Sequence, residues 1–436
     1  MARFNRSLLY LFIIIVGLFV IGCTPSGSEA NPSAKEPVTI TFYKRGYIAG
    51  SDDATSSTNA QAVAAFEKSH PNINVEIIGL PWNADGDAQL LAALESGKNI
   101  HVFSARPVDL INLAKNENIS DIAPFLTNED KTDFYANALQ AATIDEKIAA
   151  WPIWVVVSSV FVNTDIFAER GVPLPSLDDP WTWNEFVAAA QQLTYVNSSG
   201  QQIYGFTAAS TIGEIGYYPI VYADGGRILS PDGKRFVLNQ PEALSGLQKV
   251  ADLRNGYGVT PPDFGDVGQT TTWEQFKNGE VAILMSTPAL IAELESINFP
   301  FAIVPPPMGD LNQVITTGAF GMYGVYQAAD EAELAAAHEF ARYITGSQVA
   351  LDVPGYQLAP SLRRSNESYA TTPSRKMVSR LVEFGIFEPP ANISAEVSSL
   401  YGAALQAVIL GEKTPKEAMD EIAPLYQAEL DASWQK

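Results

Sequence analysis

Apolar and polar positions alternate through Val38-Thr39-Ile40-Thr41-Phe42-Tyr43, the pattern of a strand with one buried face. Within residues 59–69, Ala62, Val63, Ala65 and Phe66 fall at helical spacing, and His70-Pro71-Asn72 stops that helix. A second strand follows over 73–78, a second helix over 87–96 closed by Gly97, and a short apolar strand over 100–103. Strands that alternate with helices predict a parallel α/β sheet covered on both faces.

In the middle of the chain, Trp151-Pro152-Ile153-Trp154 runs into a long apolar strand expected over 155–162. A helix over 165–170 stops at Gly171, and Pro173, Pro175 and Pro180 stiffen the loop beyond it. Thr182 with Glu185 three residues on makes a capping box, which opens a helix over 183–193. Asp232-Gly233 between two apolar pairs predicts a hairpin. Pro241 opens a helix that runs to 254, and strands are expected over 281–285 and 301–304. A helix over 331–344 closes at Gly346, and the last hundred residues are mainly helical, with helices over 396–409 and 415–430.

The first residues follow another rule. A short basic start with Arg3 and Arg6 precedes an uncharged run over 8–21. A spanning helix needs about 20 apolar residues and a signal h-region about 7–15, so this run reads as a secretory signal. It ends in Gly22-Cys23, the chain's only cysteine, and resembles a bacterial lipobox in which Cys23 carries the lipid. Residues 23–37 have the Ser, Pro, Gly and Asn content of a flexible tether. An ordinary signal with an incidental Cys, or an uncleaved anchor, is the alternative.

The formal net charge is −22 over 436 residues, which argues against nucleic acid as a partner because phosphate rewards clustered cations. One Cys excludes a disulfide framework, and three scattered His show no ligand spacing, so no metal and no cofactor are expected. No Gly-x-Ser-x-Gly, phosphate loop or dinucleotide fingerprint is present. Aromatic residues stand out instead. Tyr47, Trp82, Trp151, Trp154, Tyr217, Tyr218, Trp273 and Tyr356 fall in or beside loops and strand ends. Such rings suit the apolar face of a sugar, although most tryptophans are core residues.

The motif order resembles the family 1 extracellular solute-binding proteins, the sugar receptors of bacterial ABC importers. Its carriers are Trp151-Pro152-Ile153 followed by Val160-Phe161-Val162-Asn163-Thr164-Asp165, and Gly171-Val172-Pro173 followed by Trp181-Thr182-Trp183-Asn184-Glu185-Phe186. Ala223-Asp224-Gly225-Gly226, Phe276-Lys277-Asn278-Gly279-Glu280-Val281, Glu339-Phe340 with Tyr343-Ile344, and Gly411-Glu412-Lys413-Thr414-Pro415 complete the set. Two positions depart from the family pattern: Gly97-Lys98-Asn99-Ile100-His101-Val102 stands where the family has Pro-Asp before the third strand, and Ala289 follows Pro288 where an aromatic is common.

The resemblance implies an α/β, two-lobed periplasmic-binding-protein-like fold of type II, each lobe a mainly parallel sheet flanked by helices. Lobe one is expected over 38–150 and 302–347, lobe two over 151–301 and 348–436. It also implies an extracytoplasmic lipoprotein, expected to be a monomer, that closes on a carbohydrate and delivers it to ABC permease subunits. Expected ligand contacts are Arg45, Tyr47, Asn83, Ser104 and Arg106 from lobe one, Trp154 just past the first crossover, and Tyr217, Ser286 and Tyr356 from lobe two, with Phe320 closing the cleft. Other readings stay open: a lipid-anchored glycosidase built on paired carboxylates, or a receptor for a non-sugar solute or a sensor system.

Overall fold

The computed structural model describes residues 37–209, 215–328, 330–356, 359–389 and 391–434. The expected signal, the expected lipidation site Cys23 and all of the expected tether before Pro37 lie outside the described residues.

Strands β1 (Val38–Arg45), β2 (Ile73–Leu80) and β3 (Val102–Ala105) run parallel with β1 in the middle. Ile40 and Phe42 bury one face of β1 completely. The helix after β1 spans Ala54–Ser69, earlier than apolar spacing suggested, because Asp53 caps it by accepting the Ser56 N–H at 3.0 Å. Its first turn is Ser- and Thr-rich, so periodicity could not reveal it. A two-strand ribbon follows, β4 (Thr143–Ile144) with β5 (Lys147–Ile148).

The expected strand over 155–162 is two strands, β6 (Trp151–Val157) and β7 (Ser159–Asn163), which belong to different sheets. The chain crosses at Ser158. This residue is fully buried, donates its N–H to the Thr317 carbonyl (2.7 Å) and its hydroxyl to the Gly216 carbonyl (3.0 Å), and accepts from the Thr316 hydroxyl (2.7 Å). Apolar residues flank the Ser158-Ser159 pair on both sides, so the hydrophobic pattern alone reads as one strand.

The second sheet continues with β8 (Tyr195–Val196), β9 (Gln202–Ala208), β10 (Val281–Ser286) and β11 (Phe301–Val304), in the order β11-β7-β10-β9-β8. The first sheet is completed by β12 (Thr316–Val325) and β13 (Gly385–Phe387), in the order β13-β12-β3-β1-β2, with β6 also paired to β12. Both sheets are mixed rather than mainly parallel, because β12 runs antiparallel to β3 and β6, and β7 runs antiparallel to β10 and β11. Sheet membership changes at Ser158 and between Val304 and Thr316, and the helices after Phe387 pack on the core of the second sheet. The first change falls seven residues beyond the expected boundary at 150/151, since β6 stays with the first sheet. The segment 360–362 also joins β6, through Val155 N–H to Pro360 (3.0 Å) and Leu362 N–H to Ile153 (3.1 Å).

β12 escaped the hydrophobic pattern because Gly318, Gly321 and Gly324 interrupt it. Each glycine lets a neighbour approach: an added Cβ would meet Val156 O at 2.2 Å, the Trp154 ring at 2.2 Å and the Phe103 ring at 2.3 Å, respectively. The capping box at Thr182 forms as expected, with Glu185 accepting the Thr182 N–H at 2.8 Å. The hairpin at Asp232-Gly233 also forms, pairing Leu229 with Phe236.

One core packs the second sheet against the helices Pro241–Asn255, Ala395–Ile409 and Pro415–Trp434. Two others cover the faces of the first sheet. In the first of these, His338 is buried against Phe125, with ring centroids 3.5 Å apart. Its Nδ1 accepts the Trp151 indole N–H (3.2 Å), so its Nε2 carries the proton toward the Ser120 hydroxyl (2.9 Å). Burial, helped by the Arg342 charge, lowers its pKa to about 3 and keeps the ring neutral.

Candidate functional site

In open α/β sheets, ligands bind beyond the carboxyl ends of the strands. Here those ends carry Arg45 on β1, Leu80 beside it on β2, and Ala105-Arg106 leaving β3. Arg45 is 3% exposed. It donates from Nη1 to Asp87 (2.6 Å), while its Nε and Nη2 have no hydrogen-bond partner among the described residues, Nη2 lying 4.0 Å from Asp109. Its backbone N–H goes to the Ser104 hydroxyl (3.2 Å). Arg106 spends its fork on Asp109, from Nε (3.1 Å) and Nη2 (2.8 Å), and turns Nη1 to Asp87 (2.6 Å). Two guanidinium groups and two carboxylates thus form a balanced network, and the N–H fork of Arg106 is already engaged.

Asn83 caps the helix Ala84–Ser96 by accepting from the Asp85 and Gly86 N–H groups, each at 3.1 Å. Its neighbour Trp82 is the free side chain of that loop, 71% exposed, 5.9 Å from the Arg45 guanidinium. The indole rests on Gly46, where a Cβ would come within 2.5 Å of Nε1. Tyr47 is half-buried, its backbone close to Gly79.

A cavity of about 270 Å³ opens beside β1, β6 and β12, lined by Lys44, Asn59, Trp154, Tyr323 and Tyr356 among others, with no carboxylate in its lining among the described residues. Trp154 packs over Gly321, and Tyr323 stands edge-on to Phe42, which fixes both rings. The Lys44 ammonium lies 5.6 Å from the Tyr323 ring centre. The Asn59 amide donates to the Thr55 carbonyl (2.7 Å), leaving its Oδ1 buried and unpartnered. The Tyr356 hydroxyl lies near that of Tyr323 without a partner at hydrogen-bonding geometry. Burial, reinforced by that neighbour, pushes the Tyr356 phenol well above its usual pKa, so it keeps its proton as a donor. Aromatic walls with spare donors and acceptors suit a neutral, hydroxyl-rich ligand.

The ten expected contacts therefore separate. Trp154 and Tyr356 meet in the cavity, while Arg45, Ser104 and Arg106 gather at the adjoining strand ends. Tyr217 is buried in the second core, stacked on Tyr218 at 5.2 Å, with its hydroxyl unpartnered. Ser286 is fully buried and accepts the Trp273 indole N–H at 2.8 Å. Phe320 packs on Phe387 and lines a separate cavity of about 360 Å³ with Met322, Glu388 and Tyr426. Lys44, Asn59 and Tyr323 were missed. A Lys-Arg pair closing an apolar strand was the available signal for Lys44, whereas Tyr323 sits in the glycine-rich strand that the pattern hid.

A model of the bacterial extracellular solute-binding proteins matches residues 61–373. Among curated relatives, the galactooligosaccharide-binding protein of Bacillus subtilis is 22% identical over 445 residues, 98% of each chain. An uncharacterized lipoprotein of Streptomyces antibioticus is 26% identical over 189 residues, 43% of this chain and 40% of that one. Among solved structures, the cyclic alpha-maltosyl-1,6-maltose binding protein of Arthrobacter globiformis aligns with a TM-score of 0.74 at 19% identity, over 91% of this chain and 100% of that one. The sugar-binding protein MalE of Xanthomonas citri gives 0.74 at 16% identity, over 91% and 98%. These likenesses show the two-lobed type II periplasmic-binding fold. With its family model matched over most of its length, the chain belongs to the bacterial extracellular solute-binding proteins.

Proposed function

We propose that this chain is the binding component of an ABC importer, which captures a carbohydrate, and by preference an oligosaccharide, between its lobes and delivers it to the membrane permease subunits. The observation that carries the carbohydrate reading is the cavity beside the first sheet, walled by Trp154, Tyr323 and Tyr356, with Asn59 Oδ1 and the Tyr356 hydroxyl unpartnered among the described residues. The relatives support it, since the Bacillus subtilis protein binds galactooligosaccharides and the Arthrobacter globiformis protein a cyclic maltosyl-maltose. In this reading the lobes follow the two sheets, ligand contacts to both drive hinge closure, Cys23 anchors the protein outside the cytoplasm, and the monomer makes or breaks no bond. In this reading Arg45, Tyr47 and Ser104 border the same cleft at the ends of the first sheet's strands.

The test is a thermal-shift screen of the chain from Asn31 onward against mono- and oligosaccharides, polyols and amino acids, with product analysis. A ligand at about 100 times its Kd stabilises by about 2.7 kcal/mol, a visible rise in melting temperature. Stabilisation by one group of sugars, returned intact, is the expected result. A shift with amino acids alone would overturn the carbohydrate reading, and sugar cleavage would overturn the receptor.

A further inference from the structure

The largest of the cavities described, about 500 Å³, lies away from the rings of the sugar cavity and has a different chemistry. It sits between the segment after β6's edge partner and the helix Pro373–Leu381, and its lining includes Arg363, Arg364, Lys376, Arg380 and two acids, Glu367 and Glu383. The local sequence is anomalous for this chain. Residues 363–380 hold five Lys and Arg against one acid, in a protein where acids outnumber bases 49 to 27.

The cations are not all accounted for by neighbours. Arg364 is held over the Tyr135 ring at 4.3 Å and pairs with Glu383 at 3.2 Å. Arg363 is 5% exposed and pairs with Asp130 at 2.7 Å, but its Nη2 has no hydrogen-bond partner. Lys376 and Arg380 have no carboxylate within 4 Å among the described residues. They stand one turn apart on the same helical face, where like charges repel unless an anion lies between them. The Ser379 hydroxyl lines the same wall and offers a donor.

We infer that this basin binds a phosphate group, held by Lys376 and Arg380 with Arg364 at the rim. Phosphate matches the site because a multivalent oxyanion accepts from a guanidinium fork and from an ammonium at once. Its source is either free phosphate or the headgroup of an anionic phospholipid, which a membrane-anchored chain would meet. The inference does not depend on the carbohydrate reading, because none of these residues lines the sugar cavity.

The test uses the full chain in detergent at constant ionic strength, with chloride as the control anion. Inorganic phosphate and glycerol phosphate are titrated while melting temperature and binding heat are followed. Saturable stabilisation by phosphate but not chloride is expected, weakened about tenfold or more in the K376Q/R380Q protein, whose exposed substitutions leave the fold and the sugar response intact. Tighter binding of glycerol phosphate than of inorganic phosphate identifies the lipid headgroup; equal or weaker binding identifies the free anion. An equal shift with chloride, no shift at all, or a phosphate shift unchanged in the double variant would overturn the inference.

Discussion

Trp154 packs directly on the backbone of Gly321: a Cβ at position 321 would lie 2.2 Å from the indole. The pair couples a wall of the proposed sugar cavity to a glycine in the neighbouring strand. Gly321→Ala is expected to push the ring out of place, at a cost of about 1–3 kcal/mol in a urea titration. It should also weaken carbohydrate binding, and Trp154→Ala is expected to do the same without the clash. Unchanged affinity in both variants would remove Trp154 from the site.

Trp82 tests a different contact. An indole that is 71% exposed contributes little to folding, so Trp82→Ala should change stability by less than about 0.5 kcal/mol. If the ring stacks on a sugar at the lip of the cleft, affinity falls and part of the ligand-induced tryptophan fluorescence change disappears. Loss of stability without loss of affinity would make it a structural ring.

Asp87 is the bridge between Arg45 and Arg106, at 2.6 Å from each. Asp87→Asn leaves the buried Arg45 charge with only Asp109 nearby at 4.0 Å. Asp87 itself is 39% exposed, so the expected loss is about 1–2 kcal/mol, below the range for fully buried pairs. Chemical denaturation at low and high salt measures it.

His338 gives the fold an acid-sensitive element. Its pKa is lowered from 6.5 to about 3, so the unfolded chain takes up a proton that the folded chain refuses. The neutral ring therefore contributes its full stability above about pH 6.5, and that contribution falls as pH drops toward 3, with a limiting slope of about 1.4 kcal/mol per pH unit. His338→Gln should flatten this part of the stability profile relative to the unmodified protein. Parallel profiles between pH 4 and 6.5 would show that another group is responsible.

Local chemistry made much of the fold legible. β1 alternates, Thr182 and Glu185 cap each other, and Asp232-Gly233 turns a hairpin, each through residues close in sequence. β12 was hidden because its glycines serve close approaches to Val156, Trp154 and Phe103, partners far away in the chain. The crossing at Ser158 was hidden because apolar residues flank it on both sides. The candidate site divided along the same line. Strand ends and loop aromatics led to Trp154 and Tyr356, but sequence could not tell that Asn83 would be consumed as a cap, that Asp87 and Asp109 would occupy Arg106, or that Ser286 would accept from Trp273.

Ser158 touches the other connection between the sheets through Thr316 and Thr317. Two strands riveted side by side at their crossing cannot bend independently. A rotation of one sheet against the other must twist both together, about an axis that runs through the rivet. A ligand that bridged the two sheets would therefore act on this one junction.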